Sequence, residues 1–595
     1  MSSLFFIIIA ALVFVLAYRF YSAFIVAKIL VIDEHRVTPA FKYRDDFDYS
    51  PTNKWVLFGQ HFAAIAGAGP LIGPVLAAQY GFLPGFFWIL IGSVFAGAVH
   101  DMVILFVSVR YEGKSLSEIA NRCMKKHMSF LTSIAIIFIM VISMAGLGIP
   151  VVNALYHSPW GIFSVGLTIP ISLFIGIYLK YLRVNRIIEA TIIGMVLIIA
   201  GVVAGPFVAK SSFAHFLNFD VKTLSWILPL YGFLAAALPV WLFLVPRGYL
   251  CTYMKLGVMA VLAIAIIILH PEIKMPGITQ FVHGNGPIIP GRVWPFLFIT
   301  IACGALSGFH AMIASGTTSK LISSEKDIRI IGYGAMICEG FVALMALIAA
   351  TVLPTSDYFA INTIPQVFEK LHMVPIHVDM LSGMVQENLT GRPGGAVSLA
   401  AGMIYVVYKI KSLDFLIPYF YHFLILFEAL FILTTIDAGT RIGRFLLEDI
   451  ISKVGIMATK KEKSFKSIMF FSFLTSFSWG YLLYTGQVST IWPLFGSANQ
   501  MLAAIALGIA TTIIIKNGKT KYVWVTVIPW LCVTVTSIDA SIESILENYL
   551  PNEKYLLAII SFALILLMAG ITINSVISWM RSVSRGMQKS GVDIP

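Results

Sequence analysis

Charge is scarce in this chain. Asp and Glu number 29 in 595 residues and Lys and Arg 41, so charged residues make up only 12%. Soluble domains carry roughly 25%, and although the length would allow several of them, this composition excludes a soluble chain. Cysteine is sparse as well: five residues, Cys123, Cys251, Cys303, Cys338 and Cys532, are scattered with no Cys-x-x-Cys. That spacing argues against a disulfide framework or a zinc site. The missing Gly-x-x-x-x-Gly-Lys-Ser/Thr loop argues against an ATP-driven pump. The missing His-Glu-x-x-His and Gly-x-Ser-x-Gly argue against the commonest membrane hydrolases, and no enzyme is expected. The first apolar run, Leu4 to Phe24, has no basic n-region and no clear cleavage site, and it reads as a retained helix.

What is present is apolar. Hydrophobic residues make up 58% of the chain, and the mean hydropathy is +0.89. Crossing a bilayer takes about 20 residues, and about sixteen stretches qualify, from 4–27 to 555–580. The fold class expected is an all-α polytopic membrane protein. The net charge of +12 does not point to nucleic acid, because the basic residues sit mostly in short loops and act as topology signals. Loops bearing Arg110, Lys114, Arg122, Lys125 and Lys126, then Lys320, Lys326 and Arg329, then the 439–467 loop, are expected on the cytoplasmic side. Three candidate spans lie between the last two loops, and an odd number cannot return to the same side. The shortest, 394–410, follows Gly391-Arg-Pro-Gly-Gly395 and is expected to be re-entrant or peripheral. About fifteen crossings remain, with the N-terminus outside, the C-terminus cytoplasmic and 354–393 as an external cap.

Two stretches echo one another: Gly59-Gln-His61-Phe-Ala-Ala-Ile-Ala-Gly-Ala-Gly69 and Gly308-Phe-His310-Ala-Met-Ile-Ala-Ser-Gly316. Small residues let a helix unwind, and unwound backbone at membrane depth is tolerated only inside protein or along a cavity. A pair of interrupted helices in matching halves marks the binding site of a secondary transporter. The echo heads two blocks of five spans in opposite orientation, an inverted five-plus-five repeat of the LeuT type with two discontinuous helices. The division expected is 1–54, an extra helix and cytoplasmic loop; 55–209, the first repeat; 210–292, an inserted helix pair (224–246 and 249–270) and external loop; 293–515, the second repeat with its cap; and 516–595, a helix pair and tail. A competing register pairs 55–80 with 224–246 through Ala237-Leu-Pro239.

Six stretches in order then carry a resemblance: Gly59–Pro74; Gly97-Ala-Val-His100-Asp101; Leu238-Pro239-Val-Trp241 to Pro246-Arg247; Ala302-Cys-Gly-Ala-Leu-Ser-Gly-Phe-His310 to Lys320; Phe427-Glu428-Ala to Asp437-Ala-Gly-Thr-Arg441; and Pro493-Leu-Phe-Gly-Ser-Ala-Asn499-Gln500. Over nearly its whole length the chain resembles the carbon starvation protein A family. The resemblance implies an inner-membrane transporter related to the amino acid–polyamine–cation superfamily, taking up peptides or pyruvate on an ion gradient. It also implies that Thr434, Thr435 and Asp437 resemble the part of a sodium site that the first broken helix, at Ala66, shares with the third helix of the second repeat. Where the family tends to have Pro-Arg-Asp-Tyr, this chain has Pro246-Arg247-Gly248-Tyr249, which removes a carboxylate beside Arg247.

The candidate site residues follow. Gly67, Ala68, Gly69 and Pro70 break the first helix, freeing carbonyls for a cation and N–H groups for a carboxylate. Ser315, Gly316 and Thr317 are expected to make the partner break, with His310 beside them. Trp241 is a candidate gate, and Asn499 and Gln500 offer amides for substrate or for bonds between helices. Asp101, His61, Glu428 and Asp437 are embedded titratable groups and functional candidates on that ground. Adjacent helix residues project about 100° apart, so His100 and Asp101 are expected to find separate partners. Asp437 has a structural alternative, an ion pair with Arg441 one turn on. No cofactor is expected beyond the coupling ion, a proton or a sodium ion at Thr434 and Thr435, and the partners expected are a small peptide or pyruvate and the lipid bilayer, with no nucleic acid. The function expected is ion-coupled import of small peptides under starvation by alternating access, with proton-coupled pyruvate symport as the alternative. A passive channel needs a continuous lined pore and a nutrient sensor an output domain, and neither is visible.

Overall fold

The computed structural model describes the chain except residues 1, 45–48, 124–125, 184–185, 239–243, 409, 454–464, 487 and 587–595. Trp241, Lys125 and the middle of the basic 439–467 loop therefore lie outside the described residues. Those residues form helices joined by short turns, with two isolated β-bridges, Ser2 to Glu272 and Thr52 to Ile322. Among the described residues, ten helices are long and apolar enough to cross a membrane, or up to 11 if one bent pair is a single span.

That is fewer simple spans than the sequence suggests, because several expected ones are short, broken or more polar. Within 224–246 the helix is Val221–Ala237, which closes at Leu238. Residues 293–319 divide into Val293–Thr300, Ala302–Ala305 and Gly308–Gly316. Residues 394–410 form Ala396–Val407, whose 12 residues reach about 18 Å at 1.5 Å per residue, well short of a 30 Å hydrocarbon core. This helix is buried from Ala396 to Val406, and an alanine-like Cβ at Gly402 would strike the backbone of Ala349.

The interior is built around two interrupted helices. Lys54–Ile65 starts under the Asn53 side chain, which accepts from Trp55 N. It stops at Ala66, whose φ −71 and ψ 75 make an inverse γ-turn, with Gly67 N donating to Ile65 O at 2.8 Å. The chain restarts as Gly69–Ala77 at a bend of 43°. The turn takes Gly67 N away from Ala63 O, and Pro70, four residues past Ala66, has no N–H to give. Two carbonyls are thereby released in the middle of the protein.

The second helix breaks at Leu306 and Ser307, both extended, after a distortion at Ile301. The expected break at Ser315, Gly316 and Thr317 lies some nine residues further on, where the half-helix Gly308–Gly316 ends. The reason is tertiary. Asn499 Oδ1 accepts from Phe309 N at 2.9 Å, capping the new helix start as an N-cap side chain would. Trp88 Nε1 donates to Ile301 O and Ser93 Oγ to Gly304 O. Gly308 is required by close approach, because a Cβ there would meet the Asn499 and Ala503 backbones. The two interruptions touch: Gly69 lies against Cys303, and Gly304 against Pro70.

Around this centre the outer helices turn apolar side chains outward. Ile188 is 78% exposed and Phe207 74%, a pattern that suits a lipid environment. At one end of the thirty-residue helix Lys126–Leu155, Glu325 gathers Arg110 and Asp33 N. At the other, Glu387 of the 354–393 segment accepts from Ser158 and from His422, and His422 stacks on Trp160 at 3.6 Å.

Candidate functional site

A narrow cavity lies at the breaks, lined by Ile65, Gly67, Gly69, Ser143, Leu147, Cys303, Phe309, Thr435 and Phe495. The walls are mostly apolar, with two hydroxyls, one thiol and exposed backbone as polar points, the usual balance of a small-molecule site. Gly67 has a structural reason to be glycine, since a Cβ would lie 2.6 Å from Thr435 Oγ1. Of the expected residues, Gly67, Gly69 and Thr435 converge here, with Ala68 between the glycines and also buried. Cys303, Ser143, Phe309 and Phe495 were not read from sequence, because they converge only through tertiary packing.

The other expected residues are occupied elsewhere. Ser315 Oγ donates to Ala311 O and accepts from Leu116 N, and Thr317 Oγ1 donates to Ile313 O. Asn499 Nδ2 donates to Cys303 Sγ and Ser307 Oγ. Gln500 Nε2 donates to Phe298 O at 2.6 Å, and its Oε1 accepts from Thr536. Both amides join helices, and Asn499 does so at the second break itself. Gly316 closes the half-helix with open space at its Cα.

Beside the cavity stands a charged residue that the sequence reading passed over. Lys255, on Leu244–Leu269, is 1% exposed. Its Nζ donates to Ala63 O at 2.7 Å, to Ala66 O at 3.0 Å and to Thr434 Oγ1 at 3.4 Å, and it lies 4.0 Å from the Phe431 ring centre. The carbonyls freed by the first break thus receive an ammonium group. The signal was available: a lysine inside an apolar span is costly and is a functional candidate by default.

A second buried cluster joins the interrupted helices to their neighbours. Asp101 is fully buried, with Oδ2 2.8 Å from His310 Nδ1 and Oδ1 2.7 Å from His100 Nδ1. The far nitrogen of His310 is 3.2 Å from Glu339 Oε2, within ion-pairing range but without hydrogen-bond alignment. The expectation that His100 and Asp101 find separate partners fails: the Asp101 carboxylate has two oxygens and gives one to each histidine. His61 Nδ1 pairs with Thr318 Oγ1 at 2.8 Å. Which histidine nitrogens carry protons is set by these partners.

Asp437 pairs with Arg247 Nη1 at 2.8 Å, both side chains buried. The carboxylate missing at Gly248 is therefore supplied from another helix. Arg441 instead donates to Ala235 O and Leu238 O, closing the C-terminus of Val221–Ala237. Glu428 is buried, and neither oxygen has a hydrogen-bond partner among the described residues.

A bundle of apolar helices with two mutually packed breaks and a cavity between them defines a polytopic membrane protein. The profile described as Carbon starvation protein CstA matches residues 2–540, and the chain belongs to that family. It is 46% identical over 549 residues to the peptide transporter CstA of Bacillus subtilis, covering 92% of this chain and 91% of that one. It is 44% identical over 580 residues to the pyruvate/proton symporter BtsT of Escherichia coli, covering 90% and 81%. It is also 44% identical over 579 residues to the peptide transporter CstA of Escherichia coli, covering 93% and 82%. A manganese transporter from Eremococcus coleocola aligns with a TM-score of 0.42 at 13% identity, covering 91% of this chain and 99% of that one, too distant to bear on function.

Proposed function

We propose that this chain is a secondary active importer that carries small peptides across the inner membrane by ion-coupled alternating access. The observation that carries the reading is the meeting of two interrupted helices at one buried cavity, with Gly69 against Cys303. N–H groups at a helix start attract a carboxylate, and the start of Gly69–Ala77 lines the cavity. Substrate binds at Gly67, Ala68 and Gly69, with Thr435 opposite, and one bundle rocks against the rest. The coupling ion is a proton, carried on the Asp101, His310 and Glu339 cluster, where a histidine between two carboxylates can accept and release it. Glu428 and His61 are further buried groups open to a proton, and Asp437 holds Arg247 in place. The inverted five-plus-five repeat accounts for a pair of breaks in opposed blocks. The end bearing Arg110 and Lys320 faces the cytoplasm, which puts the N-terminus outside and the C-terminus inside. Support for a shared side comes from Arg110 reaching Glu325 at 2.7 Å, which joins two of the basic loops.

Pyruvate is the second reading, favoured by the narrowness and mostly apolar walls of the cavity, which suit a small carboxylate more readily than a peptide. Uptake of labelled dipeptide and labelled pyruvate into proteoliposomes, under an imposed proton or sodium gradient, tests both. Accumulation of either above equilibrium on the proton gradient is the expected result. Equilibration indifferent to any gradient overturns the coupling.

A further inference from the structure

We infer that Lys255 is a tethered cation that fills an alkali-ion site at the first helix break, and that this substitution excludes sodium from the coupling of transport.

The donor set is that of a sodium site. Two main-chain carbonyls from an unwound helix and a threonine hydroxyl from a facing helix are the ligands such breaks offer to an alkali ion. Here they are Ala63 O, Ala66 O and Thr434 Oγ1, and all three point at Lys255 Nζ. Each is available for a local reason. Gly67 N has turned to Ile65 O, so Ala63 O has lost its helical donor. Pro70 cannot supply one to Ala66 O. The Thr434 hydroxyl hydrogen goes to Leu430 O or Phe431 O, leaving lone pairs for a cation. An ammonium has three N–H donors and no acceptor, and three acceptors meet it. The Phe431 ring at 4.0 Å adds a further attraction for positive charge.

Among the described residues, the hydrogen bonds of Lys255 go to neutral oxygens and none to a carboxylate. Charged and titratable groups on the surrounding helices are engaged elsewhere or more distant: Arg247 with Asp437, His61 with Thr318 and Glu339 beside His310. Cys251 lies one turn back on the same helix, and Glu428 stands two turns before Thr434. The ammonium therefore takes the place of a free ion, held by neutral oxygens alone. A buried charge without such partners is costly, and the same cost applies to the oxygens if the ammonium is removed. An alkali ion small enough to enter relieves it. This inference uses the proposed transport reading only for its consequence, the indifference of uptake to sodium; occupancy of the site is measured separately.

The test is radioactive sodium binding to the purified full-length protein, with uptake measured in parallel. The parent protein and Lys255→Arg are expected to show no saturable sodium binding. Lys255→Ala and Lys255→Met, the second filling most of the lysine stem's volume, are expected to gain one saturable site and a melting temperature that rises with sodium. The double variant K255A/T434V is expected to lose that site. Saturable sodium binding by the parent protein overturns the inference, as does its absence from a folded, monodisperse K255A or K255M. If neither variant is recovered folded, the parent protein decides: uptake unchanged when choline replaces sodium supports the inference, and sodium-dependent uptake overturns it. Failure of the parent protein to carry either substrate removes the transport proposal and leaves the binding result intact.

Discussion

The two broken helices face one physical problem and answer it differently. Each frees main-chain polar groups in the buried interior, where every unmet group is costly. At the second break the missing partners are neutral: Asn499 caps Phe309 N, and Trp88 and Ser93 serve the carbonyls of Ile301 and Gly304. At the first break the partner is a charge, the Lys255 ammonium on Ala63 O and Ala66 O. A neutral stitch holds one geometry. A charge that arrives from a separate helix can be withdrawn when that helix moves. The first break is thereby suited to change during a transport cycle and the second to stay.

Four changes sharpen or break this contrast. The largest effect is expected from Asp101→Asn, which removes the charge shared by His100 and His310; breaking a buried ion pair by removing one partner costs about 3–5 kcal/mol. Proton-driven accumulation should collapse in proteoliposomes while counterflow of substrate survives in whatever protein folds. Accumulation equal to that of the parent would remove Asp101 from the coupling path. Asn499→Ala comes next, at about 1–3 kcal/mol for leaving buried partners unsatisfied. It should lower the melting temperature at every sodium and proton concentration alike, because the second break is static. A loss confined to transport would reverse the contrast drawn above. Gly67→Ala, whose Cβ would press on Thr435 Oγ1, carries an overpacking cost of about 1–3 kcal/mol. It should reduce substrate affinity more than stability, and Thr435→Ala in the same chain should restore part of it; no rescue would place the substrate away from these two residues.

The smallest effect concerns the 354–393 segment. Burial pushes the Glu387 carboxyl up, but the His422 hydrogen bond and the charges of His422 and Arg392 outweigh it and hold the group below the usual range. A depressed carboxyl contributes stability above its unfolded pKa, about 4.3, and that contribution fades as the pH falls through the lower folded value. Hydrogen exchange in 378–392 should therefore rise below about pH 4 and not between pH 6 and 8. Glu387→Gln should abolish that dependence, and a pH response that survives in this variant would show that another group holds the segment.

Much of this was legible in the chain. Gly67, Ala68, Gly69 and Pro70 break a helix for reasons internal to them, the small side chains and the absent N–H at Pro70, and the structure breaks there. Asp101 and His310 announced themselves as polar residues in apolar spans. The second break was misplaced because Ser315-Gly316-Thr317 has the composition of an interruption, whereas Leu306 and Ser307 are unwound by side chains from 88, 93 and 499. The two histidines of the echo sit differently, His61 before its break and His310 after. Lys255 is hidden in the average hydropathy of the span 249–270, which one lysine barely changes.

Cys303 deserves a last consequence. It lies where the two interruptions touch, its side chain against Gly69 and its thiol accepting from Asn499 Nδ2, on the wall of the cavity. Any step that admits substrate from one side and releases it to the other must uncover and cover this sulfur in turn. The chain thus carries its own reporter of the cycle. A membrane-impermeant thiol reagent, applied to one face at a time in a background where Cys338 and the other cysteines are serine, reads which way the protein is open.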